Sequence, residues 1–492
     1  MQKRLSIVPH VVAKLSADEN TMLDRLAADL SREEPGLSGA QWFAPLVGSG
    51  MGEGPWAVLS DHRDIALAVE DYAALCEYRL AMLARDGDRV ILSTPPHKEF
   101  ESYRRSILGL GALVSLQVGT SAGSLRGSLA ARCLDDASIL DHLSQLASRA
   151  GELTILPYLA SGHTWLLARQ IAQQAGTHVN VAAPHPQLAR RVNDKVWFSR
   201  IVERLLGPRA LPRALGVGSA TAMAARVREI ARRSSRVVIK VPDSAGSTGN
   251  FVFPSTRFRA ASLKEIRDLL IAKLREAGWN ARYPLIVQVW EEDISSSPSV
   301  QIWVPDRFNG PPVVEGIFEQ IVEGEKGTFA GARGGNLPIE THDRLVHESS
   351  LIAGLFQRLG YYGRMSLDCI LQKRRVHGPA VHWVECNGRW GAVSIPMTLV
   401  NRLTSDWNKH PFVVAQRTSL KLPPRSFSRV LELLSDLLFR EGGDPCGLVL
   451  LGPGAFELGL GYQLVAIASH EDGAKRLVET AIARLSSDQG EV

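Results

Sequence analysis

Along roughly the first 188 residues, short apolar runs alternate with stretches whose apolar positions recur every three or four residues. Trp56 to Leu59 and Asp88 to Ser93 read as strands, whereas Asn20 to Leu30 has helical spacing. Leu153 to Pro157 reads as a further strand, followed by a helix from Thr164 to Ala175 and a strand from His178 to Ala182. This alternation predicts an open, largely parallel α/β sheet.

Downstream the pattern turns to strand pairs. A β-branched strand, Arg236 to Lys240, runs into a loop of small residues, Asp243 to Asn250, before the apolar run resumes at Phe251. Pro284 to Asp293 and Ser299 to Val304 predict two strands joined by a polar stretch, and the segments ending at Asp368 and beginning at Trp383 predict two more. After Asn401 the chain crosses a Pro-rich linker, Lys421 to Arg425. Beyond it lie a predicted helix (Ser426 to Phe439), strands (Cys446 to Leu451, Tyr462 to Ala468) and a final helix (Glu471 to Leu485), a small α/β cap. The divisions predicted are 1–188, 189–412 and 413–492.

Chemistry concentrates in the middle. Glu385 and Asn387 are two apart on one strand and so face the same way, with Asp368 on its neighbour. Three oxygen donors of this kind suit Mg²⁺ holding a nucleotide triphosphate. Arg389 follows on the same face, placed to stabilise a transferring phosphoryl group or a tetrahedral oxyanion. Lys240 at a strand end supplies a point charge, and the loop after it offers backbone N–H groups to phosphates. No Gly-Lys-Ser/Thr triplet closes that loop, so it is not a Walker sequence. Each segment by itself reads equally well as an ordinary strand end, turn or hairpin.

Taken in order, the segments resemble the ATP-grasp superfamily of carboxylate-amine and carboxylate-thiol ligases, from Asn193-Asp194-Lys195 through the Lys240 strand to Arg389. The resemblance implies an ATP-grasp fold preceded by a Rossmann-like α/β domain and followed by the small cap. It implies Lys195 and Lys240 as nucleotide-phosphate contacts, and Ser244, Gly246, Ser247, Thr248 and Gly249 as a lid over the phosphates. Gln288, Val289, Trp290 and Glu291 would be the adenine hinge. Asp368, Glu385 and Asn387 would be Mg²⁺ ligands, and Arg389 would steady an acyl phosphate. Many relatives place a ribose-contacting Glu where Ser297-Pro298 stand here, leaving Glu291, Glu292 or Asp293 as substitutes. Arg364, four residues before Asp368 on the same predicted face, is a second catalytic candidate. The implied activity is ATP-dependent amide or peptide ligation through an acyl phosphate. The domain order and Glu385 to Arg389 also look like the pheganomycin-type peptide ligases of natural-product biosynthesis. A non-catalytic ATP-binding module and an acid-thiol ligase remain alternatives. Arg333, in a Gly-rich stretch between Glu323 and Asn336, is a candidate clasp for a substrate carboxylate.

Composition changes little of this. The 492 residues are 45% hydrophobic and 22% charged with a net charge of +5, ordinary for a globular protein of two to four domains. No Lys/Arg block is dense enough for duplex binding, and no apolar run reaches the length of a membrane span. The partners expected are small-molecule or peptide carboxylate and amine substrates, with no nucleic acid and no membrane. A homodimer is allowed but not required. Five dispersed cysteines without metal or redox spacing point to a reducing compartment, and the N-terminal apolar run is too short for a signal peptide, so a cytoplasmic setting is expected. Cys369 and Cys386 alternate away from the proposed ligands and read as core residues. The run Gly48 to Gly54 precedes a strand instead of opening a helix, so it is expected to be a loop and not a dinucleotide fingerprint.

Overall fold

The computed structural model describes residues 5–65, 70–119, 127–242, 244, 249–324, 327–373, 379–417, 420 and 422–488. Three sheets carry the architecture. The first holds β1 (Val47–Ser49), β2 (Trp56–Leu59), β3 (Arg89–Leu92), β4 (Val114–Gln117), β5 (Glu152–Pro157) and β6 (His178–Val181) in the order β1-β6-β5-β2-β3-β4, every pair parallel. The predicted strands and the helix Gly162–Ala175 are all present. Ala57, Ile91, Leu153 and Ile155 are sealed on one face by Trp165, Leu167 and Ile171, the apolar stripe of that helix. From β2 the chain winds outward to β3 and β4, and from β5 it winds the opposite way. Neighbouring strands β2 and β5 therefore flank the topological switch point of the sheet, whose carboxyl end is where such folds form crevices.

The glycine run departs from its expectation in one respect. Val47–Ser49 is an edge strand paired with β6, not a loop. The later glycines serve packing: a Cβ on Gly52 would fall 2.0 Å from the Glu152 carboxylate, and one on Gly54 would fall 2.8 Å from the Glu152 carbonyl. Close approach to Glu152 explains them without a phosphate.

The second sheet, β7 (Ala214–Val217), β8 (Arg236–Lys240), β9 (Asn250–Pro254) and β10 (Leu285–Val289), is antiparallel in the order β7-β10-β8-β9. Helices Ala220–Ala231 and Leu263–Glu276 give it a core of its own, including Met223, Val237, Ile239, Leu270 and Val287. Lys240 pairs with Asn250 at the end of the β8–β9 ladder.

The third sheet has nine strands: β11 (Ile294–Ser296), β12 (Pro298–Val304), β13 (Val313–Glu323), β14 (Thr328–Gly334), β15 (Gly363–Gln372), β16 (Ala380–Asn387), β17 (Phe412–Arg417), β18 (Gly447–Leu450) and β19 (Tyr462–Ile467). Its pairings are antiparallel. One face packs on helices Ile339–Arg358 and Lys195–Leu206 through Leu367, Cys369, Trp383, Phe356 and Phe198. The stretch expected to be a Gly-rich loop is instead the β13–β14 hairpin, turning at Gly324 and Gly327, both at positive φ. Strands β17 to β19 of the expected cap join this sheet, β17 pairing with Gly331 to Arg333, and helix Glu471–Ser487 covers them. The helix predicted over Ser426 to Phe439 ends at Leu433. Beyond it the chain lies along β18, with Leu448 N–H donating to Leu437 and Phe439 N–H to Leu448, and those bonds compete with the helical ones. Among the described residues no helix is long and apolar enough to cross a membrane.

Candidate active site

Strand register assembles the site. Glu385, Asp368, Ser299 and Phe318 are successive partners across β16, β15, β12 and β13 and form one row on the sheet face away from helix Ile339–Arg358. Asn387, Ser366 and Gln301 form the next row. A register shift between Asp368 and Cys369 skips Val384, after which Cys369 stands opposite Trp383. Asp368, Glu385 and Asn387 thus share a face, while Cys369 and Cys386 are buried in the core on the other.

A hydrogen-bonded chain runs through these rows. Gln301 Nε2 donates to Ser299 Oγ at 2.8 Å, and Ser299 Oγ donates to Asp368 Oδ1 at 2.5 Å. Asn387 Nδ2 donates to Asp368 Oδ2 at 2.9 Å, and the Arg389 guanidinium donates to Asn387 Oδ1 and to Asn193 Oδ1. The two carboxylates are driven apart in titration. Burial, then the charge of Glu385, pushes Asp368 well above the usual carboxylate range, against Ser299 and Arg389. Burial also penalises the Glu385 charge, but Lys195, Lys240 and Arg389 together outweigh it and hold that carboxyl down.

Both lysines converge on Glu385. Lys195 opens helix Lys195–Leu206, whose cap Asp194 accepts from Val196 N–H (2.8 Å) and Trp197 N–H (3.2 Å). The buried Lys195 Nζ lies 3.0 Å from Glu385 Oε2 and donates to the Ser244 carbonyl at 2.7 Å. Lys240, at the end of β8, is lowered to about 8 by burial, opposed by Glu385 and Glu291 and helped by Lys195. Ser244 Oγ donates to Val241 O at 2.8 Å, just beyond β8. Gly249 is required there, because a Cβ would fall 2.0 Å from Ser244 Oγ. Gly246, Ser247 and Thr248 lie outside the described residues.

The expected hinge follows β10. Gln288 is buried between β7 and β8, Val289 N–H donates to Arg213 O at 3.1 Å and Trp290 N–H to Arg236 O at 3.4 Å. Of the three acids offered as ribose contacts, Glu292 is engaged by Ser235 Oγ and Asp293 sits in a left-handed turn. Glu291 is the one whose charge reaches Lys240, and it lies 3.3 Å from His382 Nδ1.

Two predicted residues are not brought to this centre. Arg333 pairs with Glu319, one position off the Phe318–Gly334 partnership of the Asp368 row, which puts it on the opposite face of the sheet. There it lies 3.1 Å from Glu471. Arg364 shares the face of Asp368 but stands four residues back, roughly 13 Å along the strand. It forms an ion pair with Glu315, donates to Thr398 Oγ1 at 3.2 Å, and lies 5.5 Å and 5.0 Å from the Trp303 and Trp390 rings. Glu315 is the bulged residue where the β12–β13 register shifts.

Sequence reasoning missed the groups that surround Arg389. Ser299 and Gln301 alternate on β12 and are recoverable only once the register is known. His62 and Tyr158 follow β2 and β5 at the switch point and stack at 3.8 Å. Trp390 N–H donates to Tyr158 O at 3.1 Å, and the Arg389 charge acts on the Tyr158 side chain. Burial, then Arg79, Arg389 and Arg63, holds His62 well below its ordinary value. Arg389 therefore stands where the carboxylate rows meet the crevice of the first sheet.

The donor set fits a hard divalent cation. Asp368 and Glu385 oppose one another across a strand pair, and burial, then the Glu385 charge, disfavours the charged form of Asp368, a penalty that a cation between them would relieve. Among the described residues no group of three or more His, Cys, Asp or Glu forms a metal cluster, and a third donor beside the two carboxylates would be the Asn387 amide. Its oxygen faces Arg389, and it would have to turn to join the carboxylates.

Comparison with known proteins bears on the fold. Residues 77–173 match the family described as Pre ATP-grasp domain, within the parallel-sheet region. No curated protein sequence matches significantly. Similar solved structures include the biotin carboxylase domain of Hydrogenobacter thermophilus 2-oxoglutarate carboxylase, solved with MgADP, ADP and bicarbonate. It is 12% identical, with 88% of this chain and 90% of that chain covered, at a TM-score of 0.53. N5-carboxyaminoimidazole ribonucleotide synthetase as an ADP complex is 12% identical over 89% and 97%, at 0.52. Campylobacter jejuni biotin carboxylase in a β,γ-ATP complex is 13% identical over 90% and 92%, also at 0.52. At such identities the likeness speaks to fold alone: an ATP-grasp fold preceded by a pre-ATP-grasp domain.

Proposed function

We propose that this protein is an ATP-dependent ligase that activates a carboxylate as an acyl phosphate and transfers it to an amine. The observation that carries the reading is the convergence of Lys195, Lys240 and Arg389, from three separate elements, on the opposed carboxylates Asp368 and Glu385. Lys195 and Lys240 are placed to take the charge of a triphosphate, exchanging Glu385 for phosphate oxygens. The backbone from Val289 to Glu291 would meet the adenine edge, with Glu291 toward the ribose. Asp368, Glu385 and a turned Asn387 would hold Mg²⁺, which when bound neutralises charge on the phosphoryl group in transfer. Arg389, held by Asn193 and Asn387, is oriented to steady the acyl phosphate and then the tetrahedral intermediate left by amine attack. His62 and Tyr158 are buried beside Arg389, an apolar border that would keep water from the acid and amine there.

The finer reading is an amino acid or peptide acceptor in natural-product biosynthesis, in a cytoplasmic enzyme divided at residues 188 and 412. ADP release measured over a matrix of acids, bicarbonate included, and amines or thiols, with products read by mass spectrometry, tests both levels. Release that needs one acid and one amine together supports ligation. Nucleotide binding with no ADP formed under any combination contradicts it.

A further inference from the structure

Asn193 sits between helix Pro186–Val192 and the Asp194 cap of the helix that begins with Lys195. Its side-chain amide is fully engaged. Nδ2 donates to the carbonyls of Ala189 (2.7 Å) and Gly388 (3.3 Å), and Oδ1 accepts from Gly388 N–H (3.1 Å) and from the Arg389 guanidinium. Gly388 is pinned from other sides as well, since a Cβ there would fall 2.4 Å from Val192 Cγ2 and 3.2 Å from Tyr361 Oη. One side chain thus clamps the peptide between Asn387 and Arg389 to a point 195 residues away, next to Lys195.

We infer that Asn193 is a positioning residue that fixes Arg389 and the end of the Asn387 strand relative to Lys195, so that phosphate contacts from both halves of the site keep one geometry. The inference rests on the ligase reading for its effect on turnover, and on hydrogen bonding alone for the clamp. Both donors and both acceptor sites of an amide are needed. Aspartate keeps the contacts to Gly388 N–H and Arg389 but sets a carboxylate against two carbonyls, and alanine leaves Arg389 with its bond to Asn387.

The test uses the full-length protein with Asn193→Ala, Asn193→Asp, Arg389→Ala and the Asn193→Ala/Arg389→Ala double variant. Asn193→Ala should lower kcat about tenfold to a hundredfold, the effect expected for losing a charge-assisted contact that orients a reacting group. KM for ATP should move less than about threefold, because neither lysine is touched. Asn193→Asp should recover much of kcat, and the double variant should be no slower than Arg389→Ala. Unchanged kcat per folded molecule, or effects that multiply in the double variant, would overturn the inference. Guanidinium NMR provides a readout independent of turnover: of the two Arg389 Nη groups, assigned by their absence in Arg389→Ala, the slowly exchanging signal of the one that donates to Asn193 should vanish in Asn193→Ala while that of the one on Asn387 remains. If the first signal persists, the clamp is wrong even in an active ligase. If the wild type releases no ADP, the ligase reading fails and this signal still decides the clamp.

Discussion

Two buried charged pairs share one face of the nine-stranded sheet, two rows apart, and they behave differently. Arg364 and Glu315 are one base matched to one acid, both nearly inaccessible, closed between Trp303 and Trp390. Burial lowers Arg364 to about 9, and its partners are fixed protein groups. Asp368 and Glu385 are two acids face to face, shared among Ser299, Asn387, Arg389 and two lysines arriving from other elements. A buried pair whose charges balance braces the packing around it. A buried cluster whose charges are shared among cations from separate elements is poised for exchange with a ligand.

The sharpest way to break this comparison is to remove each acid in turn. Asp368→Ala should lower ADP formation about a thousandfold, the scale of losing a main electrostatic stabiliser, while the urea midpoint stays near wild type, because burial and Glu385 already disfavour the Asp368 charge. Glu315→Ala should do the reverse, costing about 3–5 kcal/mol of stability by stranding a buried guanidinium, with the activity of folded molecules retained. Equal losses of stability in both experiments would erase the distinction.

Finer tests follow. Ser299→Ala removes the hydroxyl that steadies Asp368, and half-maximal activity should need about tenfold more Mg²⁺, as for other partners that orient a ligand. Lys240, lowered to about 8 when free, is near half-charged at pH 8, and phosphates favour its charged form. Nucleotide binding at pH 8 should therefore take up roughly half a proton, seen as a dependence of calorimetric enthalpy on buffer ionisation. Affinity should weaken as pH rises above that value, and Lys240→Arg should bind without proton uptake. Arg333→Ala, on the other face and paired with Glu471, should change KM for any acid less than about twofold and stability by under about 1 kcal/mol. A large KM effect would restore Arg333 to the site.

What the sequence revealed follows the same division. Alternation placed Glu385 and Asn387 on one face because that relation lies within a single strand, and the resemblance joined Asp368 to them from the neighbouring one. It could not give the β13–β14 register, in which one position separates the row of Asp368 from Arg333. Nor could it show that a bulge would turn Glu315 toward Arg364, leaving a catalytic candidate as a brace. The parallel sheet was legible from its periodicity, but the meeting of Tyr158 with Arg389 and Trp390 depends on how two sheets pack. The joining of β17 to β14 is equally non-local, so the last 80 or so residues read as a cap although they extend the central sheet.

The central claim is that Lys240 and Glu385 face one metal-nucleotide site. Its most direct test replaces Mg²⁺ with Mn²⁺ and measures paramagnetic relaxation of the ADP phosphorus nuclei. Strong relaxation of both phosphates is predicted in the wild type, with loss of bound Mn²⁺ in the Asp368→Ala/Glu385→Ala double variant and weakened ADP binding in Lys240→Ala. Undiminished relaxation in the double variant, or ADP affinity indifferent to Lys240, would contradict the account.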